Sequence, residues 1–365
     1  MTIEAKASAH GRVNLIGEHT DYNGGFVLPA SIPQGAQVHL RLCDESHQDK
    51  CVTMQSLNIE NSTSSFVLGE ESRKGQWIDY VQGVTEILAG DGHRLSGFQG
   101  TIDSSVPMGG GLSSSAALEV ALLKAINELF DLNLNEIEIA KLGQRVENEF
   151  VGAHVGIMDQ MAASLGRLGE ALFIDTRDLT FRRLPLPPEQ IRLLVINSGV
   201  VHNHALGDYN QRRAECEQAC RLLGLRELRD FKMDGTNSLQ RLRTLPDVLQ
   251  KRARHVVTEN NRVLEAVKAL EKQNLTRLGE LFSASHVSMR DDYQVSIPEI
   301  DTLVEISESF PEIFGARLTG GGFGGSIVAL VDGKTSTASI DAMSSEIIAR
   351  YAAQTGRRAT VLGHC

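Results

Sequence analysis

The sequence predicts a protein of two domains that mixes α-helices with β-strands. Its 365 residues favour about two domains on length alone. Short β-like runs separated by turn-rich pieces occupy the first third of the chain, and helical spacings of apolar residues begin at Ser113. Both patterns recur through the rest of the chain, which indicates a mixed fold.

Elements of the first half follow from apolar periodicity. The predicted strands are 26–29, 36–42 and 98–105. A first helix is predicted from Ser113 to Phe130, and the serines at its start are candidate caps. A second helix has apolar residues at spacings of three and four and ends near Gly152, and a short third helix begins around Gly156.

A Pro-punctuated segment, LPLPPEQ at 184–190, is the best candidate for a domain boundary or an inter-domain crossing. It divides an N-terminal domain, residues 1–184, from a C-terminal domain, residues 185–365. The other predicted elements are strands at 171–176 and 193–199, helices at 210–223 and 255–272, and two strands joined by a glycine loop at 315–333.

Composition and charge favour an ordinary globular protein of the cytoplasm. The formal net charge of −10 opposes non-specific binding of nucleic acid, because that affinity comes mostly from clustered Lys and Arg. Residues 1–15 lack the apolar stretch of a signal peptide, and no apolar run approaches the roughly 18 residues that span a bilayer. We therefore expect a cytoplasmic protein without nucleic-acid or membrane partners, and we take a monomer as the default.

The five cysteines are odd in number and scattered, unlike a disulfide framework, so free thiols are expected. Cys216 and Cys220 lie one helical turn apart and could share a metal only if other ligands arrived from elsewhere. Burial as small hydrophobes explains them without a metal. His202 and His204 have the spacing of a metal pair, but no third ligand is near, and we interpret them as surface histidines.

Three glycine-rich segments are candidates for phosphate binding. GGGFGG at 320–325 fits GxGxxG, but a β-branched run follows it where a dinucleotide fold requires a helix. A P-loop at Lys334 and Thr335 fails because Val328 stands where the upstream glycine is needed. VPMGGGLSSSAALEVALL at 106–123 leads directly into a predicted helix, as a phosphate-binding loop does. The alternative for that segment is a glycine turn capped by serine.

The third segment resembles the phosphate loop of the GHMP small-molecule kinases, Pro-x-x-x-Gly-Leu-[Ser/Gly]-Ser-Ser-[Ala/Ser], over residues 107–116. GRVNLIGEHTDYNGG at 11–25 is similar to the galactokinase signature within that family. LTGGGFGG at 318–325 resembles the family's third motif, and GIMDQ at 156–160 resembles the segment that carries the galactokinase base. The similarity extends from about residue 7 to residue 331.

This resemblance implies an α+β protein with an N-terminal domain like ribosomal S5 domain 2, a C-terminal ferredoxin-like domain, and an active site between them. The implied activity is transfer of the γ-phosphoryl group of ATP to the anomeric hydroxyl of D-galactose, with Mg²⁺ as cofactor. The sequence departs from the family at His10, where proline is usual, and at Pro33, where an acidic or amide residue is common. Neither departure removes a functional group.

The resemblance also assigns residues to the nucleotide and the metal. Ser115 and Glu147 are the implied magnesium ligands, and hydroxyl and carboxylate oxygens suit that hard cation. Trp77, the only tryptophan, is implied to lie beside the adenine, although a solitary Trp is most often a core residue. The implied phosphate-binding residues are Gly109, Gly110, Gly111, Leu112, Ser113, Ser114 and Ser115.

Asp159 lies among apolar neighbours, where an unpaired carboxylate is costly to bury, so it is either paired or functional. By resemblance it is the base that accepts the proton of the anomeric hydroxyl. Arg12 is implied to pair with Asp159 and with developing charge on the transferred phosphoryl group. The structural alternative is a salt bridge between the two segments. It would involve the same contact and does not exclude the catalytic role.

A short loop places three polar side chains, Glu18, His19 and Asp21, within four positions. This pattern is weak evidence alone, because polar side chains often cluster in surface loops. Carboxylates and an imidazole nevertheless supply the hydrogen-bond partners that sugar hydroxyls need. The resemblance implies that galactose is bound by Glu18, His19, Thr20, Asp21, Gly156 and Tyr209.

Two other functions stay open at this point. One is a kinase for another sugar, such as N-acetylgalactosamine or arabinose. The other is a non-catalytic regulator that binds galactose and ATP, against which the intact set of Asp159, Arg12, Ser115 and Glu147 argues.

Overall fold

The computed structural model of the chain describes residues 3–43, 50–59, 62–200, 205–233 and 235–364. The described strands are β1 Glu4–Asn14, β2 Phe26–Val27, β3 Pro29–Leu42, β4 Cys51–Ser56, β5 Thr63–Val67, β6 Phe98–Ser104, β7 Glu170–Asp175, β8 Thr180–Pro185, β9 Ile191–Asn197, β10 Ile313–Thr319, β11 Ser326–Asp332 and β12 Thr360–His364. The described α-helices are α1 Ile78–Gly90, α2 Ser114–Leu129, α3 Glu136–Arg145, α4 Met158–Leu165, α5 Ala205–Leu223, α6 Thr236–Arg243, α7 Asp247–Glu271, α8 Leu275–Ser288, α9 Pro298–Glu308 and α10 Thr337–Thr355.

The backbone divides into two compact units, and neither is continuous in sequence. Unit 1 comprises residues 1–12, 31–107 and 113–166, and unit 2 comprises residues 13–30, 108–112 and 167–365. The domain boundary expected at residues 184 and 185 stays a prediction.

Unit 1 contains a mixed sheet covered by helices on one face. Strand β3 pairs antiparallel with β6, β6 pairs parallel with β4, and β5 pairs antiparallel with β4. Along β3, Val38 and Leu40 are buried whereas His39 and Arg41 are partly or fully exposed. This alternation is the pattern of a strand with one face in the core and one face in water.

The helices of unit 1 agree with the apolar periodicity, with one difference. Helix α2 occupies the span predicted from Ser113 to Phe130 within one residue at each end. The second predicted helix is α-helical only to Arg145 and continues as a π-helix, Val146–Val151. It ends at Gly152, whose positive φ of 83° terminates the helix in the left-handed region.

Unit 2 contains an antiparallel sheet in the order β10-β11-β9-β12 and, apart from it, the paired strands β2, β7 and β8. Six of the seven residues of β11 are buried, as expected for the centre of a covered sheet. Helix α8 packs directly onto β10, because a Cβ atom at Gly279 would lie 2.0 Å from the carbonyl oxygen of Phe314. The two strands and glycine loop predicted at 315–333 are confirmed as β10, the turn and β11.

The structure also bears on the predictions for the cysteines, for helix α7 and for membrane-spanning helices. The four described cysteines are free thiols, and Cys216 and Cys220 are buried. Cys365, His202 and His204 lie outside the described residues. Helix α7 begins at Asp247, eight residues before its predicted start, directly after Pro246. In the described part of the chain, no helix is both long enough and apolar enough to cross a membrane.

Candidate active site

Arg12 and Asp159 form the centre of a polar cluster in unit 1. Arg12 lies on β1 and Asp159 in the first turn of α4. Arg12 donates from Nε to Asp159 Oδ1 at 2.8 Å and from Nη2 to Oδ2 at 2.7 Å. A two-point contact of this kind fixes the orientation of both groups. The arginine side chain is 5% exposed and the aspartate side chain 30%, so the carboxylate is accessible to a small molecule from solvent.

Ser113 is not the helix cap that the sequence suggests. It occupies the N-cap position of α2, but its side chain makes no capping hydrogen bond. The residue has a left-handed backbone with φ 59° and ψ 48°, whereas a capping serine is normally extended. Its hydroxyl instead donates to Asp159 Oδ2 at 2.5 Å. The prediction of a serine cap was wrong here, and the first turn of α2 keeps its N–H groups free of that side chain.

The glycines before α2 adopt conformations that other residues avoid. Gly109 and Gly111 have φ values of 70° and 72°. In unit 2, Gly111 approaches the second glycine loop so closely that a Cβ atom at Gly320 would lie 2.8 Å from its carbonyl oxygen. Ser326 donates a hydrogen bond to the carbonyl oxygen of Gly110 at 2.6 Å. The sequence had singled out both glycine segments, but not their contact.

Glu147 carries a buried carboxylate on the π-helix that follows α3. Its side chain is 4% exposed, and burial raises the pKa of the carboxyl to about 7. The hydroxyl of Ser115 hydrogen bonds to the carboxylate and lowers this pKa, whereas the charge of Asp159 raises it. π-Helical turns inside helices often occur at functional sites.

The oxygens of Ser115 and Glu147 fit a hard divalent cation. A buried carboxylate without a cationic partner is costly, and a bound cation would stabilise its charged form. No cluster of three or more His, Cys, Asp or Glu side chains suited to a metal occurs among the described residues. Magnesium usually keeps several waters and binds substrate phosphates beside one or two carboxylates.

Glu119 was missed by the sequence analysis, because a single Glu on a helix is usually solvated. It lies on α2, is 0% exposed, and burial raises the pKa of its carboxyl well above the usual range. Gln160 donates to its Oε2 at 3.3 Å. Gln160 follows Asp159 directly, so this contact helps to fix the first turn of α4.

The loop that follows β1 is anchored inside unit 2 by Glu18. The carboxylate is 1% exposed and accepts hydrogen bonds from Asn14 Nδ2 at 2.9 Å and from the backbone N–H of Gly320 at 3.1 Å. Arg317 Nη2 also donates to it. Glu18 therefore ties the polar loop to the end of β10.

Arg317 and Glu259 complete this buried network, and neither was singled out from the sequence. Arg317 is 0% exposed and donates to the carbonyl oxygens of Asn14 and Leu15 at 3.1 and 2.8 Å. Glu259 accepts from the N–H of Gly17 at 3.0 Å. The available signal was an arginine within the apolar strand sequence GARLT.

The remaining predicted sugar residues of unit 2 are His19, Thr20, Asp21 and Tyr209. His19 is 4% exposed and has φ 63°, which is uncommon for a residue other than glycine. Its ring centroid lies 5.3 Å from that of the half-buried Tyr209. Thr20 closes the loop, donating to the carbonyl oxygens of Gly17 and Phe26. Asp21 is half-buried and begins a short 3₁₀ turn.

Two predicted residues remain, Gly156 and Trp77. Gly156 is buried in unit 1, three residues before Asp159. Trp77 is half-buried at the start of α1, and its indole N–H donates to the hydroxyl of Ser62 at 2.5 Å. Trp77 is therefore not a fully buried core residue, and its place beside adenine stays a prediction.

Three family models match the chain. The model described as GHMP kinases N terminal domain matches residues 79–167, and GHMP kinases C terminal matches residues 266–351. The model described as galactokinase galactose-binding signature matches residues 3–42.

Curated relatives and solved structures match over nearly the whole chain. A galactokinase of Chloroflexus aurantiacus is 44% identical over 360 residues, covering 96% of this chain and 89% of the relative. A galactokinase of Haemophilus influenzae is 42% identical over 362 residues, covering 98% and 92%. The crystal structure of a Lactococcus lactis galactokinase in complex with galactose aligns with a TM-score of 0.90 and 34% identity, covering 98% of this chain and 92% of that one. A mevalonate kinase of L. major aligns with a TM-score of 0.63 at 21% identity, covering 97% and 95%, which shows likeness of fold alone.

The buried His255 gives unit 2 a testable dependence on pH. Its ring is 0% exposed, Nε2 lies 3.1 Å from the carbonyl oxygen of Glu18, and Nδ1 lies 2.9 Å from the hydroxyl of Ser288. Burial lowers the pKa of this ring from 6.5 to about 4. Between these values the native protein binds fewer protons than the unfolded chain, so its free energy of unfolding falls as pH decreases.

We predict that wild type loses up to roughly 3 kcal/mol through this group between pH 6.5 and pH 4. His255→Gln should remove this part of the pH dependence of the free energy of unfolding, even if the variant is less stable at pH 7. Urea unfolding followed at several pH values would measure it. If the free energies of unfolding of the two proteins changed with pH in parallel, His255 would not be the group responsible.

Proposed function

Because the chain belongs to the galactokinase family of GHMP kinases, we propose that it transfers the γ-phosphoryl group of ATP to the anomeric hydroxyl of D-galactose through the residues of the two clusters. The family makes it an ATP-dependent sugar kinase and a phosphotransferase, with the predicted GHMP kinase fold. The observation that carries the proposed chemistry is the position of Asp159, held by Arg12 and Ser113.

Asp159 has the properties required to orient an attacking hydroxyl. Phosphoryl transfer leaves little covalent chemistry to the protein, so catalysis depends on positioning and on charge neutralisation. The accessible carboxylate can accept a hydrogen bond from the anomeric hydroxyl and take its proton as the O–P bond forms. Arg12 would stabilise negative charge on the transferred phosphoryl group and keep the carboxylate in place.

The loop before α2 would bind the phosphates of ATP. Its glycines allow the backbone N–H groups to approach an anion, and the positive end of the helix dipole adds attraction. The uncapped first turn supports this proposal over the alternative of a serine-capped turn. Trp77 is proposed as a neighbour of the adenine on the resemblance alone.

Magnesium is proposed at Ser115 and Glu147, whose oxygens suit it. A cation there would neutralise charge on the phosphates of the nucleotide. The protein's own contribution is the hydrogen bond between the two residues, which orients the carboxylate, and the burial that favours a cationic partner.

Galactose is the proposed sugar, as in the ligand of the Lactococcus lactis structure. Glu18, His19, Thr20, Asp21, Gly156 and Tyr209 are its proposed contacts. The anchored loop of unit 2 supports this assignment, because a polar site discriminates between hydroxyl positions only when its groups are held in place. A cytoplasmic location and a monomeric state stay predictions.

Two experiments separate this function from its alternatives. Sugar-dependent release of ADP by the purified protein distinguishes an enzyme from a non-catalytic regulator. A panel of sugars at fixed ATP, including N-acetylgalactosamine and arabinose, tests whether galactose is the preferred acceptor.

We predict that Asp159→Asn lowers turnover by about 10²–10⁴, the range for loss of a general base, while ATP affinity is preserved. Asp91→Asn is the control, because both carboxylate oxygens of Asp91 accept from Nη1 of an arginine, Arg145, in the same unit at the surface. Single-turnover rates and nucleotide titrations of both variants would measure the effect. Equal turnover in the two variants would remove Asp159 from the mechanism.

Glu147→Gln should raise the magnesium concentration required for half-maximal activity and leave the galactose KM unchanged, because an amide is a poorer ligand for a hard cation. Glu149→Gln, on the same π-helix but exposed and paired with Arg145, is the control. Initial rates would be measured over a magnesium series. Identical magnesium dependence of the two variants would show that Glu147 is not a ligand.

We expect wild type to prefer galactose strongly over glucose, which differs only at C4, and Asp21→Ala to raise the galactose KM and narrow that preference. A hydroxyl that loses its partner costs about 1–3 kcal/mol. Asp332→Ala, at the end of β11 away from the glycine loop, is the control. The measurement is kcat/KM for both sugars. If Asp21→Ala prefers galactose over glucose as strongly as wild type does, another residue recognises the C4 hydroxyl.

A further inference from the structure

Four side chains in unit 2 form a continuous series of hydrogen bonds that ends at His19. Cys216 of α5 lies with Sγ 3.1 Å from the hydroxyl of Tyr293, and that hydroxyl lies 2.7 Å from the hydroxyl of Tyr22. The Tyr22 hydroxyl lies 2.8 Å from Nδ1 of His19. We call these four residues the thiol–histidine series.

The series is shielded from solvent at the thiol end and leaves one ring nitrogen unused at the other. Cys216 and Tyr293 are 1% and 0% exposed. Nε2 of His19 is buried and has no hydrogen-bond partner among the described residues. Burial lowers the pKa of the His19 ring to about 3, so the ring is neutral near pH 7 and carries a single proton. The position of that proton decides whether Nε2 donates or accepts.

The direction of the series follows from its two ends. Each tyrosine hydroxyl has one proton, so the whole series donates either towards His19 or towards Cys216. Burial raises the pKa of the Cys216 thiol to about 12, so the thiol keeps its proton and can donate to the hydroxyl of Tyr293. A thiol sulfur is a weak acceptor, whereas a neutral imidazole has one ring nitrogen that accepts, so we expect the series to donate towards His19.

This direction fixes the position of the proton on the His19 ring. If Cys216 donates to Tyr293, then Tyr293 donates to Tyr22 and Tyr22 donates to Nδ1 of His19. Nδ1 is then the acceptor, and the ring proton is on Nε2. Nε2 is also the ring nitrogen without a partner among the described residues, so its N–H is available to a ligand.

We propose that Cys216, Tyr293 and Tyr22 are positioning residues that fix His19 as the Nε2–H tautomer, so that it offers the sugar a hydrogen-bond donor. This inference rests on the proposed function, in which His19 contacts the sugar. The group on the substrate that His19 would recognise is an oxygen with a free lone pair. A hydroxyl meets this requirement, and so does a fluorine substituent as a weaker acceptor, whereas a hydrogen atom does not.

The first test measures the tautomer directly and requires no turnover. ¹⁵N-histidine-labelled protein, with His19 assigned by His19→Gln, should show a protonated Nε2 and an unprotonated, hydrogen-bonded Nδ1. Tyr22→Phe removes the donor to Nδ1 and should give a mixture of tautomers. Tyr351→Phe is the matched control, since it removes another buried tyrosine hydroxyl of unit 2, one that donates to the carbonyl oxygen of Ser198. It should leave the His19 signals unchanged.

The outcomes of that test are decisive. A proton on Nδ1 of His19 in wild type would overturn the proposal, as would a Tyr22→Phe protein with the wild-type tautomer. Because the spectrum is recorded on wild type first, a variant that fails to fold does not leave the question open.

The second test reads the consequence for the sugar. Tyr22→Phe should raise the galactose KM by about 2- to 10-fold, the range for one neutral hydrogen bond, with a much smaller change in the ATP KM. The deoxy and deoxyfluoro analogues of galactose should be compared at each position. At one position wild type should use the fluoro analogue better than the deoxy analogue, and Tyr22→Phe should use the two equally. Equal rejection of both analogues at every position would overturn the donor assignment. Absence of galactose phosphorylation by wild type would overturn the proposed function instead, and the tautomer measurement would stand.

Discussion

Arg317 carries a positive charge into the interior of unit 2, where its side chain is 0% exposed. Glu18 accepts from it directly, and Glu259 lies 3.8 Å away. Removing one partner from such a buried group is strongly destabilising, because the remaining charge has no water to replace the contact. The arginine also donates to the carbonyl oxygens of Asn14, the last residue of β1, and of Leu15, which follows it. The conformation of the predicted sugar loop therefore depends on this one buried side chain.

Unit 1 meets the same constraint with different residues. Its carboxylates at Asp159 and Glu147 are held by Arg12 and Ser115, and Glu119 is buried behind them with Gln160 as its partner. Polar groups are costly to bury unless they are hydrogen-bonded, so each of these contacts also restricts its neighbour. Fixed groups of this kind suit phosphoryl transfer, where the protein contributes position and charge more than covalent chemistry.

Local chemistry explains which parts of the molecule could be predicted from sequence. Helix α2 and the strands around GGGFGG follow from apolar spacing and glycine content, which act within a few residues. The absence of a cap at Ser113 could not be predicted in this way, because its hydroxyl donates to Asp159, a residue 46 positions away. Glu119 and Arg317 were missed for a related reason: a single charged residue in a helix or strand gives no sign of burial until its partners are known.

The sequence by itself determined the mixed fold and the family and predicted the phosphate loop, because the glycine and hydroxyl motifs are short and contiguous. Tertiary structure alone decided how the charged groups are paired. Arg12 meets Asp159 across 147 residues, and Arg317 meets Glu18 across 299. It also decided which hydroxyls form the series that reaches His19. Hydrogen bonds depend on distances of a few tenths of an ångström between atoms of separate elements, and only the packed fold sets those distances.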